Sequence, residues 1–329
     1  MGGNGNLSAA GNGNIPDKND FKRPDGKKMK AYIRETPGDK IFNTFNIAFF
    51  TIVTLVCIFP FYYLFINTIS NNDLSSRGLV TFFPKGIHFS NYVQVLKLTG
   101  LGNAAFISIA RTLIGGILAV IGSALLGFVF SQKAMWGRKF WYRFLVITMY
   151  YNAGIIPWFI VMMNLRMTNN FLAYILPYIV SPFYVILVKT FIESLPASVQ
   201  ESAEIDGAGY LVIFFKIILP LITPILATIA IFSAVFQWNS FTDTLFLMTD
   251  SKYYTLQFIL YRYMNVSSAL ASILRSSQGS TASADIMNMQ TASSVKMTVS
   301  MIIVTPILFV YPFFQRYFVK GIMIGAVKG

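Results

Sequence analysis

The chain has 329 residues, of which 55% are hydrophobic and 12% charged; a soluble domain carries about 25% charged residues, so an ordinary water-soluble globule is excluded and the bilayer becomes the natural solvent. A net charge of +13 invites a nucleic-acid partner, but the Lys and Arg residues cluster outside the apolar runs and on alternate sides of them, which is the pattern of a membrane topology. The single cysteine, Cys57, excludes an internal disulfide and reads as a small packed apolar side chain, and the single histidine, His88, has no Cys or His companions with which to hold a metal.

Residues 1–42 are Gly- and Asn-rich at first and then basic. They show no core pattern and read as a loosely ordered cytoplasmic arm, and the apolar run that follows is too long for a secretory signal. Six apolar runs follow, at about 45–69, 105–130, 140–163, 172–191, 221–238 and 297–317, each long enough to cross a hydrocarbon core of ~30 Å as a helix of ~20 residues. Pro60, Pro157, Pro177, Pro182, Pro306 and Pro312 fall inside or near them, where neighbouring helices satisfy the carbonyls that proline frees. With the N-terminus inside, the inner segments hold roughly twice as many Lys and Arg as the outer ones, so both termini are expected in the cytoplasm. The expected fold is an all-α membrane domain of six spans over 43–319, followed by a cytoplasmic tail at 320–329.

Two outer segments are long. Val93, Leu96 and Lys97 signal a short surface helix in the first, and 254–264 signals another in the second, ahead of a Ser-rich part from Ser267. The inner segment at 193–224 is different in kind. Glu201, Glu204 and Asp206 crowd together, Gly207 and Gly209 break the chain, and an apolar run interrupted only by Lys216 leads to Pro220 and Pro224. This spells a helix, a glycine turn and a second helix entering a span. A polar helix–turn–helix cannot lie in lipid, and the charge bias puts it on the cytoplasmic face.

That segment resembles the EAA coupling loop of the membrane subunits of bacterial ABC importers. The pattern is Glu-Ala-Ala, a Gly four residues on, nine residues, then Ile-x-Leu-Pro; this chain has Glu201, Ser202, Ala203, Gly207, Ile217, Leu219 and Pro220 at that spacing, with Ser202 replacing the first Ala. Asp206-Gly207-Ala208 resembles the carbohydrate-uptake branch, and the tail Gly325-Ala326-Val327-Lys328-Gly329 resembles that of maltose-type inner-membrane subunits. The resemblance implies the type I importer permease fold in a bacterial cell membrane. It implies as partners a second permease, two ATPase subunits, an external solute-binding protein and an oligosaccharide. It also implies that Glu201, the small residues around it and the tail meet the ATPase; the apolar Ile213, Phe214 and Ile217 are themselves expected to pack the second helix back on the spans.

No GxxxxGK[ST] loop is present, so nucleotide phosphates have no cradle here. The chain is expected to be no enzyme and to hold no cofactor of its own, ATP and Mg²⁺ belonging to partner subunits. A gradient-driven carrier would need ionisable groups within the membrane, and every carboxylate reads as a loop or arm residue. Arg111 is the one clear charge inside a span, near its outer end, and is expected to snorkel outward or face a partner subunit. Oligosaccharides are held by aromatic faces and amides, so Tyr150, Tyr151 and Asn152 in the third run, and Gln237, Trp238 and Asn239 ending the fifth, are the candidates for a substrate path. Importers of amino acids or peptides share the same mechanism and remain an alternative.

Overall fold

The computed structural model describes residues 37–265 and 294–309. The arm at 1–36, the Ser-rich segment at 266–293 and the tail, including Gly325, Ala326, Val327, Lys328 and Gly329, lie outside the described residues. The chain divides into two compact units, residues 1–59 and 60–329. In the first, residues 37–59 form most of helix α1, Pro37–Thr68, whose apolar side chains such as Ile41, Phe45 and Ile52 are exposed. Cys57 is exposed too, against the expectation that it packs. A stripe of this kind suits lipid rather than a protein interior.

The described residues of the second unit form helices joined by turns and loops, with no strand among them. After α1 come α2, Asn72–Ser76, and α3, Ser90–Leu96; α3 is the surface helix expected near Val93. Buried side-chain bonds tie this segment together. Asn67 accepts from Ser75 Oγ at 2.7 Å, and Asn91 Nδ2 donates to the Thr68 carbonyl at 2.9 Å.

Helix α4, Leu101–Ser131, is the spine. Its 31 residues run about 46 Å at 1.5 Å per residue. Three apolar clusters sit along it. Val95, Leu101, Ala104, Leu256, Val299 and Ile303 pack at its start. Ile107 joins Met162, Ala173, Tyr174 and Leu247 further on. Ala124 and Phe128 join Val188, Ile192, Ala203, Ile213, Phe214 and Ile225 at its end. Small residues allow the close approach, as is usual between helices in lipid: a Cβ on Gly127 would stand 2.5 Å from Val188 Cγ1.

Among the described residues two helices, α1 and α4, are long and apolar enough to span unbroken, and three bent pairs raise that to as many as five if each pair is one span. The third run is not the continuous helix expected. It consists of α5, Arg138–Tyr150, and α6, Ile155–Asn164, bent by 114°. Gly154 has φ 84° and ψ 179°, a conformation open essentially to glycine alone, and its N–H is taken by Asn152 Oδ1 at 2.9 Å. The fourth run is two 3-10 turns, Phe171–Tyr174 and Leu176–Tyr178, followed by α7, Pro182–Glu193. Then come α8, Ala197–Ile205, α9, Tyr210–Leu221, and α10, Thr223–Asn239, the last two meeting at 77°. A short α11, Thr242–Leu247, and a helix over 256–265 follow; the latter matches the expected outer helix. The sixth run is seen as α13, counting the 256–265 helix as α12, over Ser294–Phe309.

Candidate functional site

The helix–turn–helix expected at 193–224 is α8, a turn at 206–209, and α9. Two bonds close α8: Gly207 N–H donates to the Glu204 carbonyl at 3.0 Å and Ala208 N–H to the Ala203 carbonyl at 3.0 Å. This pairing is the Schellman stop, which needs a left-handed residue, and Gly207 supplies it with φ +78°. Its missing Cβ would meet nothing within 4 Å in this subunit, so the open side of the turn is left for something else to approach.

Within α9, residues Ile213–Ile218 are wound as π-helix. Pro220 has no N–H to offer the carbonyl four residues back and its ring crowds that carbonyl; the wider turn accommodates it. Pro224 likewise has no N–H for the Pro220 carbonyl, which accepts from Thr223 Oγ1 at 2.8 Å instead. The two prolines thereby account for the sharp change of direction into α10.

The inner face of this element is fastened to the spans. Ile213 and Phe214 are buried with Phe128 of α4, Val188 and Ile192 of α7 and Ile225 of α10; Ile217 and Leu219 pack against the same cluster. Ala203 is in that cluster as well. Its small size lets α8 sit close on its own subunit, which corrects the expectation that Ala203 faces the ATPase. Gln200 Nε2 donates to Gln132 Oε1 at 2.6 Å beyond the end of α4. Arg138 bridges from the start of α5 to Glu193, which Lys189 also holds at 2.7 Å. The outer face carries Glu201, Ser202, Glu204, Asp206, Gly207 and Pro220, all exposed, with Ala208 half-buried. Ile205 is 86% exposed and Leu211 70%, values that leave an apolar tip beside three carboxylates.

Roughly 30 Å back along α4 lies a second polar centre that the sequence reading missed. Arg111 is fully buried and neither snorkels nor faces a partner. It is paired inside the subunit with Asp243, Nη2 to Oδ2 at 2.6 Å and Nη1 to Oδ1 at 3.1 Å. Gln237 Oε1 accepts from Nη2 at 2.8 Å and from Nε at 3.1 Å, and the Ser240 carbonyl accepts from Nη1 at 3.3 Å. The guanidinium lies 4.4 Å from the centroid of the Tyr174 ring. Asp243 Oδ1 also accepts from Ser240 Oγ and Thr244 N–H. A buried carboxylate does exist, therefore. The signal available in the sequence was Arg111 itself: a cation at that depth requires an anion, and Asp243, just past the outer end of the fifth run, is at the matching level.

The substrate-path candidates divide. Gln237 is 1% exposed and its amide is spent on Arg111 and, through Nε2, on the Tyr174 carbonyl at 3.1 Å; it faces the interior, which corrects its place among path-lining groups. Trp238 Nε1 donates to the Ile303 carbonyl at 3.3 Å. Asn239 is exposed, its Nδ2 donating to Val235 at 2.9 Å. Tyr150 and Tyr151 are 79% and 75% exposed, next to Asn152 at the α5–α6 break. The structure does not bring these two groups together into one site.

At the loop joining α11 to the 256–265 helix, Asp250 accepts from Lys252 N–H and pairs with Lys252 Nζ at 3.0 Å. Those bonds, the backbone one first, hold its carboxyl below the usual range, and the same pair raises Lys252.

Residues 123–324 match the family model described as binding-protein-dependent transport system inner membrane component. The chain is 30% identical over 291 residues to the polygalacturonan/rhamnogalacturonan transport system permease protein YtcP of Bacillus subtilis, covering 88% of this chain and 99% of that one. It is 29% identical to the arabinooligosaccharides transport system permease protein AraQ of Halalkalibacterium halodurans, covering 85% and 94%. Its fold is similar to that of a chain in the crystal structure of a bacterial ABC transporter involved in the import of the acidic polysaccharide alginate. The TM-score is 0.73 at 29% identity, with 86% of this chain and 98% of that chain covered.

Proposed function

The chain belongs to the binding-protein-dependent transport system inner membrane component family, and from this premise we propose that it is the permease subunit of an ATP-driven importer of oligosaccharides. It is a multi-pass component of the bacterial cell membrane. Six spans with both termini in the cytoplasm complete the topology. The partners are a second permease, two ATPase subunits that bind ATP and Mg²⁺, and an external solute-binding protein.

One observation carries the mechanism. The α8–α9 element is packed into the same apolar cluster as α4, α7 and α10 on one side and leaves Glu201, Ile205, Asp206 and Leu211 uncovered on the other. Ser202, Gly207 and Ala208 keep the turn low enough for close approach, and Glu201 pairs with a cation of the ATPase. Closure of the ATPase pair on ATP then displaces α8, and Ala203, Ile213 and Phe214 carry the displacement into three helices as a packed unit. That is rigid-body transmission of the kind that switches access between two membrane faces. The tail Gly325, Ala326, Val327, Lys328 and Gly329 enters the ATPase interface. Tyr150, Tyr151, Asn152, Trp238 and Asn239 remain the groups for a sugar path.

The buried Arg111–Asp243 pair is what a gradient-driven carrier would use, but every donor of its guanidinium is bonded and neither side chain reaches solvent. The pair is built to hold helices together. The test is reconstitution in proteoliposomes. Oligosaccharide uptake should require ATP, the ATPase and the binding protein together. Gly207→Leu should insert normally, lose the ATPase on purification and take up nothing. Uptake by the chain without an ATPase, or a Gly207→Leu complex that stays intact and active, refutes the proposal.

A further inference from the structure

At the end of α4 opposite the coupling element, a cavity of about 300 Å³ opens between the α3–α4 turn and residues 251–263. That volume is at the lower end of the roughly 300–1,000 Å³ typical of ligand pockets, room for one sugar ring. Its lining includes Thr99, Ser251, Tyr254, Ile259, Arg262 and Tyr263. The Tyr254 ring is fixed by its hydroxyl, which donates to the Thr249 carbonyl at 3.3 Å, and by the Phe258 ring 4.7 Å away. The Arg262 guanidinium lies 5.6 Å from the Tyr254 ring centroid and has no carboxylate partner among the described residues. The nearby carboxylate, Asp250, is neutralised by Lys252 at 3.0 Å, and exposed Lys97 adds a further positive charge beside Leu98 at the rim.

We infer that this cavity is a binding subsite for a carboxylated sugar unit, a uronic acid residue, on the outer face of the subunit. Tyrosine rings present flat apolar faces to the C–H face of a pyranose, Thr99 and Ser251 offer hydroxyls to its ring hydroxyls, and a guanidinium fork matches a carboxylate in a bidentate, charge-assisted pair. A neutral sugar would use the rings and hydroxyls and leave the guanidinium unpaired, so discrimination between acidic and neutral rings falls on Arg262. The inference rests on the importer reading above, which puts this end of α4 outside, where substrate arrives. It adds to that reading the charge class of the cargo and a place for it before entry.

The purified full chain in lipid nanodiscs, without binding protein, is titrated with trigalacturonate and with the neutral galactotriose, followed by saturation-transfer NMR and calorimetry. The acidic trimer should bind at least tenfold more tightly. Arg262→Gln, at an exposed position, should erase that difference while leaving galactotriose binding unchanged, and Thr99→Tyr, which fills the cavity from its exposed side, should weaken both sugars. Equal binding of the two trimers, binding of neither, or an unchanged preference in Arg262→Gln overturns the inference. So does an Arg262→Gln chain that binds sugar normally but holds the solute-binding protein less well, since the guanidinium would then serve a protein contact. If the reconstituted complex imports oligosaccharide while the cavity binds nothing, this subsite alone is refuted; if no oligosaccharide is imported under any condition, the importer reading fails with it.

Discussion

Asp243→Asn tests whether the Arg111 cluster is the fastening between α4, α10 and α11. The guanidinium has five N–H donors, and all five are used: two on Asp243, two on Gln237 and one shared with the Ser240 carbonyl. Both charged side chains are at 0% exposure. Neutralising Asp243 leaves a buried cation without its counter-charge, which costs about 3–5 kcal/mol. At about 2–4 °C per kcal/mol for a domain of comparable size, the melting temperature should fall by about 6–20 °C. Arg111→Met strands Asp243 instead, with only Ser240 Oγ and Thr244 N–H left to it, and should lose a similar amount. The double replacement Arg111→Met with Asp243→Leu removes both charges, and exchanging a buried pair for apolar groups is often near neutral. It should therefore melt closer to wild type than either single variant. Fluorescence-monitored melts of the purified chain in one detergent supply the four corners of the cycle. Losses in the double variant equal to the sum of the singles, or single variants within about 1 kcal/mol of wild type, would refute the fastening role.

Gly207→Ala strains a left-handed position by about 1–2 kcal/mol, whereas Gly207→Asn tolerates it; co-purification of the ATPase lost in both variants identifies close approach, and lost only in Ala identifies turn geometry. Gly127→Ala drives a methyl to within 2.5 Å of Val188 Cγ1 and 2.6 Å of its Cβ and should destabilise the chain by about 1–3 kcal/mol in a thermal melt; Val188→Ala keeps that Cβ and should restore little of the loss. Asp250 has a lowered carboxyl pKa because Lys252 N–H and Nζ bind its charged form. Its contribution is therefore present above the ordinary carboxylate range and lost as pH falls through the lowered value. Amide protection in the turn at Ser251–Tyr253, taken relative to the intrinsic exchange rate at each pH, should fall on acidification in wild type, and the same pH response in Asp250→Asn would refute this assignment.

Much of the architecture was legible because lipid imposes a local rule. A spanning segment must satisfy its own backbone and show an apolar surface along a contiguous stretch, so composition alone placed α1, α4, α7, α10 and the start of α13. The polar interruption at 201–209 was legible for the complementary reason: acids and glycines in that order stop one helix and begin another, and Gly207 does so through the Schellman bonds. The break between α5 and α6 was readable only in part. Asn152 and Gly154 are turn formers, but whether a glycine in an apolar run stays helical depends on what surrounds it.

What the chain order alone determined is thus where the apolar helical segments lie and the existence of one exposed bent element between two of them. Which way each side chain on those elements turns was decided by tertiary packing. Ala203 faces inward because α8 is rotated onto Phe214 and Val188's neighbours, and nothing in the residues from Ala197 to Ile205 states that rotation. Arg111 and Asp243 lie 132 positions apart, and their pairing exists only once α11 is brought against α4. Hydropathy is a sum over neighbours in sequence; a buried ion pair is a meeting of neighbours in space.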